Sequence, residues 1–168
     1  MTGKRGKPDV RELAELALLC ALMVGTKEAM AALPNVHLVT LLIVLGAQLY
    51  GARVLYPVIG FTVIEIGIYG LGLWTVMYLY VWPLIALLAV LFRKTDSRLF
   101  WSVFAGICGL CFGAACAVPY LFLGGWRVAV SWWVAGIPYD ILHGVSNAVL
   151  TFVLLPPLQR LAEKRRKT

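Results

Sequence analysis

The chain has 168 residues, of which 61% are hydrophobic and only 14% charged, with a net charge of +7. Its mean hydropathy is +0.86. A soluble domain carries about 45–50% apolar and about 25% charged residues, so a water-soluble core of this size is excluded and a bilayer is indicated.

The charge pattern excludes a nucleic-acid partner and reports topology. Thirteen of the fifteen basic residues fall at the termini or after the second and fourth apolar segments: Lys4, Arg5, Lys7 and Arg11; Arg53; Arg93, Lys94 and Arg98; and Arg160, Lys164, Arg165, Arg166 and Lys167. Basic residues that flank apolar spans follow the positive-inside bias. They predict an even number of crossings of a cell membrane, with both termini cytoplasmic.

Six apolar segments follow in order, at about 10–33, 36–49, 54–74, 77–92, 99–123 and 137–161. All are expected to be helices, because only helices and closed barrels satisfy the backbone in lipid and no long alternation favours a barrel. The expected fold is all-α: a compact bundle of six transmembrane helices forming one domain over 1–168, with short basic ends at 1–10 and 160–168. The second and fourth segments are short against the ~20 residues of a crossing, and Pro83 should bend the fourth. Residues 126–136, with Trp126, Arg127, Trp132 and Trp133, are expected as an outer interfacial loop, since Trp favours that depth.

Within the first segment Ala17, Ala21, Gly25 and Ala29 recur every fourth residue. That spacing draws a stripe along which a second helix can approach closely, either from within the chain or from a partner. Gly113, Ala114 and Ala115 are read as internal packing. Cys108 and Cys111 have a redox-like spacing without a βαβ frame or a second pair, so they and the other two cysteines are read as small apolar residues of helices.

A few polar residues remain where lipid is expected. A charge in hydrocarbon costs ~2.5–3.5 kcal/mol on insertion scales. Lys27 and Glu28 should therefore pair, snorkel or face a wet cavity, and Glu65 lacks a cation nearby in sequence. Asp140, His143 and Asn147 share one helix face by their i, i+3, i+7 spacing, and Ser146 lies beside them. Asp140 could instead serve as a cap. Asn35 and His37 lie at the first outer connection, and Trp74, Tyr78, Tyr80 and Trp82 form an aromatic group that serves either as a membrane-interface belt or as a ligand wall. No phosphate-binding P-loop, His-Glu-x-x-His, arginine ladder or nucleophile with a positioned base occurs, and two ligands on one turn are too few for a metal site.

Three stretches, ALPNVHLVTLL at 32–42, YLYVW at 78–82 and WWVAGIPYDILHGVSN at 132–147, resemble the substrate-binding S components of energy-coupling factor (ECF) transporters, the vitamin importers of prokaryotes. The resemblance extends over about residues 13–160 and is strongest in the last stretch. It implies a transport subunit and not an enzyme, with no permanently bound cofactor. It also implies a vitamin captured outside, a transmembrane coupling subunit docked on a stripe like Ala17, Ala21 and Gly25, and two cytoplasmic ATPases. The chain is most similar to the cobalamin-specific branch; the Met-His start of nickel and cobalt members is replaced here by Met1, Thr2, Gly3 and Lys4, which disfavours a bare metal ion as substrate. The implied substrate contacts are Asn35, His37, Glu65, Trp74, Tyr78, Trp126, Arg127, Trp132, Asp140, His143 and Asn147. Alternatives are a different vitamin or micronutrient, a self-sufficient facilitator, or an intramembrane enzyme using Glu65, His143 and Asp140.

Overall fold

The structure, a computed structural model, describes residues 8–167, with side chains to 165. The basic residues Lys4, Arg5 and Lys7, the side chains of Arg166 and Lys167, and the Met1–Lys4 start lie outside the described residues. The described residues form seven helices and a 3-10 turn in the order α1 Val10–Ala29, α2 Val39–Tyr50, the turn Gly51–Val54, α3 Leu55–Tyr69, α4 Leu73–Phe92, α5 Arg98–Leu110, α6 Phe112–Cys116 and α7 Val118–Lys167. Among the described residues there is no strand.

Local chemistry sets several ends. The Asp9 carboxylate caps α1 by accepting from Glu12 N at 2.7 Å, and Ser97 caps α5 by accepting from Phe100 N at 3.2 Å. Such caps satisfy amides that have no partner within the helix. Gly51, at φ 63°, lets the chain leave α2 and turn back into α3; a side chain there would be strained.

Cross-links show how the helices run. Arg53 pairs with Glu12 at one end of α1, and Lys27 pairs with Glu65 at the other, so α1 and α3 are parallel. Tyr50 OH donates to Glu15 Oε2 at 2.9 Å, which makes α2 antiparallel to both. Gln159 meets Gln48 at 2.8 Å, and Arg11 donates to the Arg165 carbonyl at 2.8 Å. The two described ends of the chain therefore sit together.

Among the described residues three stretches are long and apolar enough to cross a membrane: Val39–Tyr69, Leu73–Phe92 and Val118–Arg165. The first is folded back on itself at Gly51. Arg98–Leu110 is apolar but shorter, and α1, at 20 residues, carries five charged side chains. Helix α2 has only 12 residues, roughly 18 Å. Residues 39–47 are nevertheless buried all round by neighbouring helices. Irregular backbone is tolerated at membrane depth when protein covers it, so the connections at its two ends fit a central short helix.

Three boundaries differ from the sequence reading. Helix α4 starts at Leu73 and reaches 20 residues, about 30 Å, so it is not short. The single segment expected at 99–123 is divided into α5, α6 and the start of α7. Pro119 has no N–H to continue the preceding helix but is tolerated in the first turn of a new one.

The third difference is a correction. Residues 126–136 are helical and not a loop. The break comes at Gly125, whose φ of 73° reverses the chain, leaving a short arm, 118–124, and a long arm, 126–167. The arms form a hairpin in which Trp132 stacks on Tyr120 at 4.8 Å. That packing gives the segment a helical partner, where sequence alone offered only aromatic residues between glycines.

Two small-residue surfaces have opposite environments. Gly106, Gly109 and Gly144 let α5 and α7 touch: a Cβ on Gly109 would lie 2.7 Å from the Gly144 Cα. Ser102 Oγ adds a hydrogen bond to the Ala148 carbonyl at 2.8 Å. On α1, by contrast, Ala17, Ala21, Gly25 and Ala29 are all exposed, and a Cβ on Gly25 would meet nothing within 4 Å. The core between the helices holds Met23, Ile43, Phe61, Trp82, Trp101 and Leu155, each fully buried.

Candidate functional site

At the end of α1 away from the chain termini, the connection 30–38 closes over a cavity of about 220 Å³. Its lining joins Lys27 of α1, Asn35 and His37 of the connection, Tyr69 of α3, Tyr78 of α4, Phe112 of α6 and His143 of α7. Asn35 adopts φ 57°, a left-handed conformation that Asn tolerates better than most residues. Its amide donates to the Tyr139 carbonyl at 3.3 Å, and its own carbonyl accepts from Ser146 Oγ at 3.4 Å. The connection is thus tied to α7 at both polar groups of one residue.

Aromatic rings form the walls. His37 lies 4.8 Å from His143 and 5.7 Å from Trp82, while Phe112 packs 4.9 Å from His143 and 5.0 Å from Trp82. Tyr78 contacts Trp74 at 5.2 Å and Trp82 at 5.6 Å and stacks beside Phe61 at 6.2 Å. Trp74 contacts Tyr69 at 6.4 Å and so supports the wall from behind.

Polar groups are arranged in two layers. Lys27 Nζ lies 2.5 Å from Glu65 Oε2, 3.0 Å from Glu28 Oε1 and 4.6 Å from the centre of the Tyr69 ring. Tyr69 OH donates to Glu28 Oε2 at 2.6 Å. Glu65, fully buried, therefore receives from α1 the cation that its own sequence neighbourhood lacks. Deeper on α7, Asn147 donates to Thr40 Oγ1 at 3.1 Å. Asp140 Oδ1 accepts from Gly113 N at 2.9 Å, holding the start of α6. Asp140 is a cap in this sense, although for another helix than its own.

The imidazoles differ. His143 is 1% exposed, and among the described residues neither of its ring nitrogens has a hydrogen-bond partner; the same holds for His37 Nδ1. Leaving a buried polar group unpaired costs about 1–3 kcal/mol. The cavity next to them is where a pairing group could enter. Among the described residues no three His, Cys, Asp or Glu side chains group as a metal site.

Of the residues singled out in the sequence, Asn35, His37, Tyr78 and His143 line this cavity. Glu65 and Trp74 support it through Lys27 and the tyrosines, and Asp140 and Asn147 hold α7 against α6 and α2. Trp126, Arg127 and Trp132 line no part of it. Trp126 is 67% exposed with the Arg127 guanidinium 5.8 Å from its ring centre, and Trp132 packs within the α7 hairpin. Sequence reasoning missed Tyr69 and Phe112, which carry no local signal of a site. Lys27 was recognisable only as a charge in need of a partner. No protein-family model, curated protein or solved structure matches this chain.

Proposed function

We propose that this chain is the membrane-embedded capture subunit of an ECF-type importer, a bundle crossing the membrane six times with both termini cytoplasmic. It would bind a vitamin at the outer face and deliver it inward when docked to a transmembrane coupling subunit with two ATPases. The observation that carries this reading is the cavity under the connection 30–38, with four of the expected contact residues on its walls. Apolar and aromatic walls with a few placed polar groups are what a small-molecule site requires. The outward-facing stripe of Ala17, Ala21 and Gly25 supports docking of a partner helix on α1.

Cobalamin or a related corrinoid is the first substrate proposed. A cavity of about 220 Å³ cannot enclose so large a ligand, so most of a corrinoid would remain outside the enclosed space. Equilibrium binding of a vitamin panel to the purified chain tests the reading. Saturable binding of one member without turnover is expected, and no binding across the panel would refute it. Topology is tested separately: in a cysteine-free background, a cysteine at the exposed Ser131 should react with an impermeant reagent from outside. Labelling only from the cytoplasmic side would invert the topology.

A further inference from the structure

The cavity holds more chemical information than its position. At about 220 Å³ it is below the ~300–1,000 Å³ of sites that take up a whole drug-sized ligand. Four aromatic rings line it, those of Tyr69, Tyr78, His37 and Phe112. Aromatic surfaces favour a flat ring that can stack or meet them edge to face.

The buried imidazoles supply the second requirement. A neutral imidazole presents one donor and one acceptor, and neither nitrogen of His143 is paired. A saturated hydrocarbon would leave both unpaired, at a cost in affinity. A ring carrying a nitrogen acceptor would pair with the imidazole N–H, and one carrying an N–H donor would pair with the bare nitrogen.

Charge supplies the third. Next to the cavity a single ammonium, Lys27, stands against two carboxylates, Glu28 and Glu65. Lys27 lines the cavity and neither carboxylate does, so an anionic ligand would have to compete with the two carboxylates that already hold Lys27. Like-charge juxtaposition is a means of rejecting ligands.

We infer that the enclosed cavity takes a compact, planar nitrogen heteroaromatic group that is neutral or cationic, and discriminates against its carboxylate analogues. His143 pairs with the ring, and Glu65 sets the charge preference. The inference rests on the capture reading for the location of the ligand. The ring can be a free small compound or the base of a larger ligand such as a nucleotide-bearing corrinoid.

The test uses the full chain in nanodiscs and calorimetric titration with benzimidazole, nicotinamide, nicotinate, cobalamin and cobinamide, the corrinoid without a base. Benzimidazole and nicotinamide are expected to bind, nicotinamide at least tenfold more tightly than nicotinate, its isosteric carboxylate. His143→Phe should weaken benzimidazole at least tenfold and His143→Gln, which keeps a donor and an acceptor, should weaken it less. Glu65→Gln should shrink the gap between nicotinamide and nicotinate. Each variant's thermal unfolding and gel-filtration profile serves as the check on folding. Competition between benzimidazole and cobalamin identifies the corrinoid base as the source of the ring. Benzimidazole binding with no corrinoid binding identifies a free compound, which sinks the corrinoid substrate and leaves this inference standing. Nicotinate bound as well as nicotinamide, or corrinoids bound equally with and without the base while neither small heterocycle binds, overturns the inference and leaves the capture reading intact.

Discussion

Two surfaces of this protein are built from the same residue types and do opposite things. The seam between α5 and α7 uses Gly106, Gly109, Gly144 and Ala148 to bring two backbones into contact. The stripe on α1 uses Ala17, Ala21, Gly25 and Ala29 and is exposed along its length. In lipid, apolar side chains gain little by leaving the solvent, so close packing and hydrogen bonds hold helices together. A small-residue face is thus a capacity for contact, and it does not name the partner. At the α5–α7 seam the partner lies within the chain, and Ser102 adds a hydrogen bond. On α1 the capacity is left unused.

The largest effect should come from closing the seam. Gly109→Leu would place its side chain against the backbone of His143 and Gly144, where a Cβ alone would come within 2.7 Å. We expect little folded protein, read by gel filtration and thermal unfolding. Gly25→Leu on α1 should leave both measurements unchanged. Comparable damage at the two positions would break the contrast.

A smaller effect is expected where α1 does contact the fold. Removing one partner of a buried ion pair costs about 3–5 kcal/mol. Glu65→Ala should fall near the lower end, about 3 kcal/mol, because Glu28 remains to hold Lys27 and the Lys27 side chain is 18% exposed. The double replacement Lys27→Met with Glu65→Leu should recover most of that loss, since no unpaired charge remains. A double variant less stable than Glu65→Ala would show that the pair contributes more than charge compensation.

The smallest stability effect belongs to the exposed stripe. Ala17→Trp or Ala21→Trp should change unfolding by less than about 0.5 kcal/mol, as surface substitutions do. Both should leave vitamin binding intact and abolish uptake in cells that supply the coupling subunit and ATPases. Loss of binding together with uptake would return the stripe to internal packing.

The site shows the same division between local and nonlocal information. Asn35, His37, Tyr78 and His143 were recognisable because a polar or amphipathic residue in a run of apolar ones is conspicuous. Tyr69 and Phe112 were not, since an aromatic residue in an apolar helix is ordinary until something faces it. Trp126, Arg127 and Trp132 were drawn to the site by their composition. Their place was decided elsewhere, when Gly125 folded residues 126–136 back along the short arm of α7.

By itself the sequence determined the all-helical class, the approximate positions of the six apolar segments and the need for Lys27 and Glu65 to find partners. These follow from hydropathy, backbone hydrogen bonding and the cost of a buried charge, all of which act within a few residues. Only the tertiary structure decided that Lys27 and Glu65 are each other's partner, 38 positions apart. It also decided that His37 and His143 meet ring to ring, and that of two small-residue faces one is filled and one is open. Such pairings depend on which helices become neighbours, and that depends on the packing of all of them together.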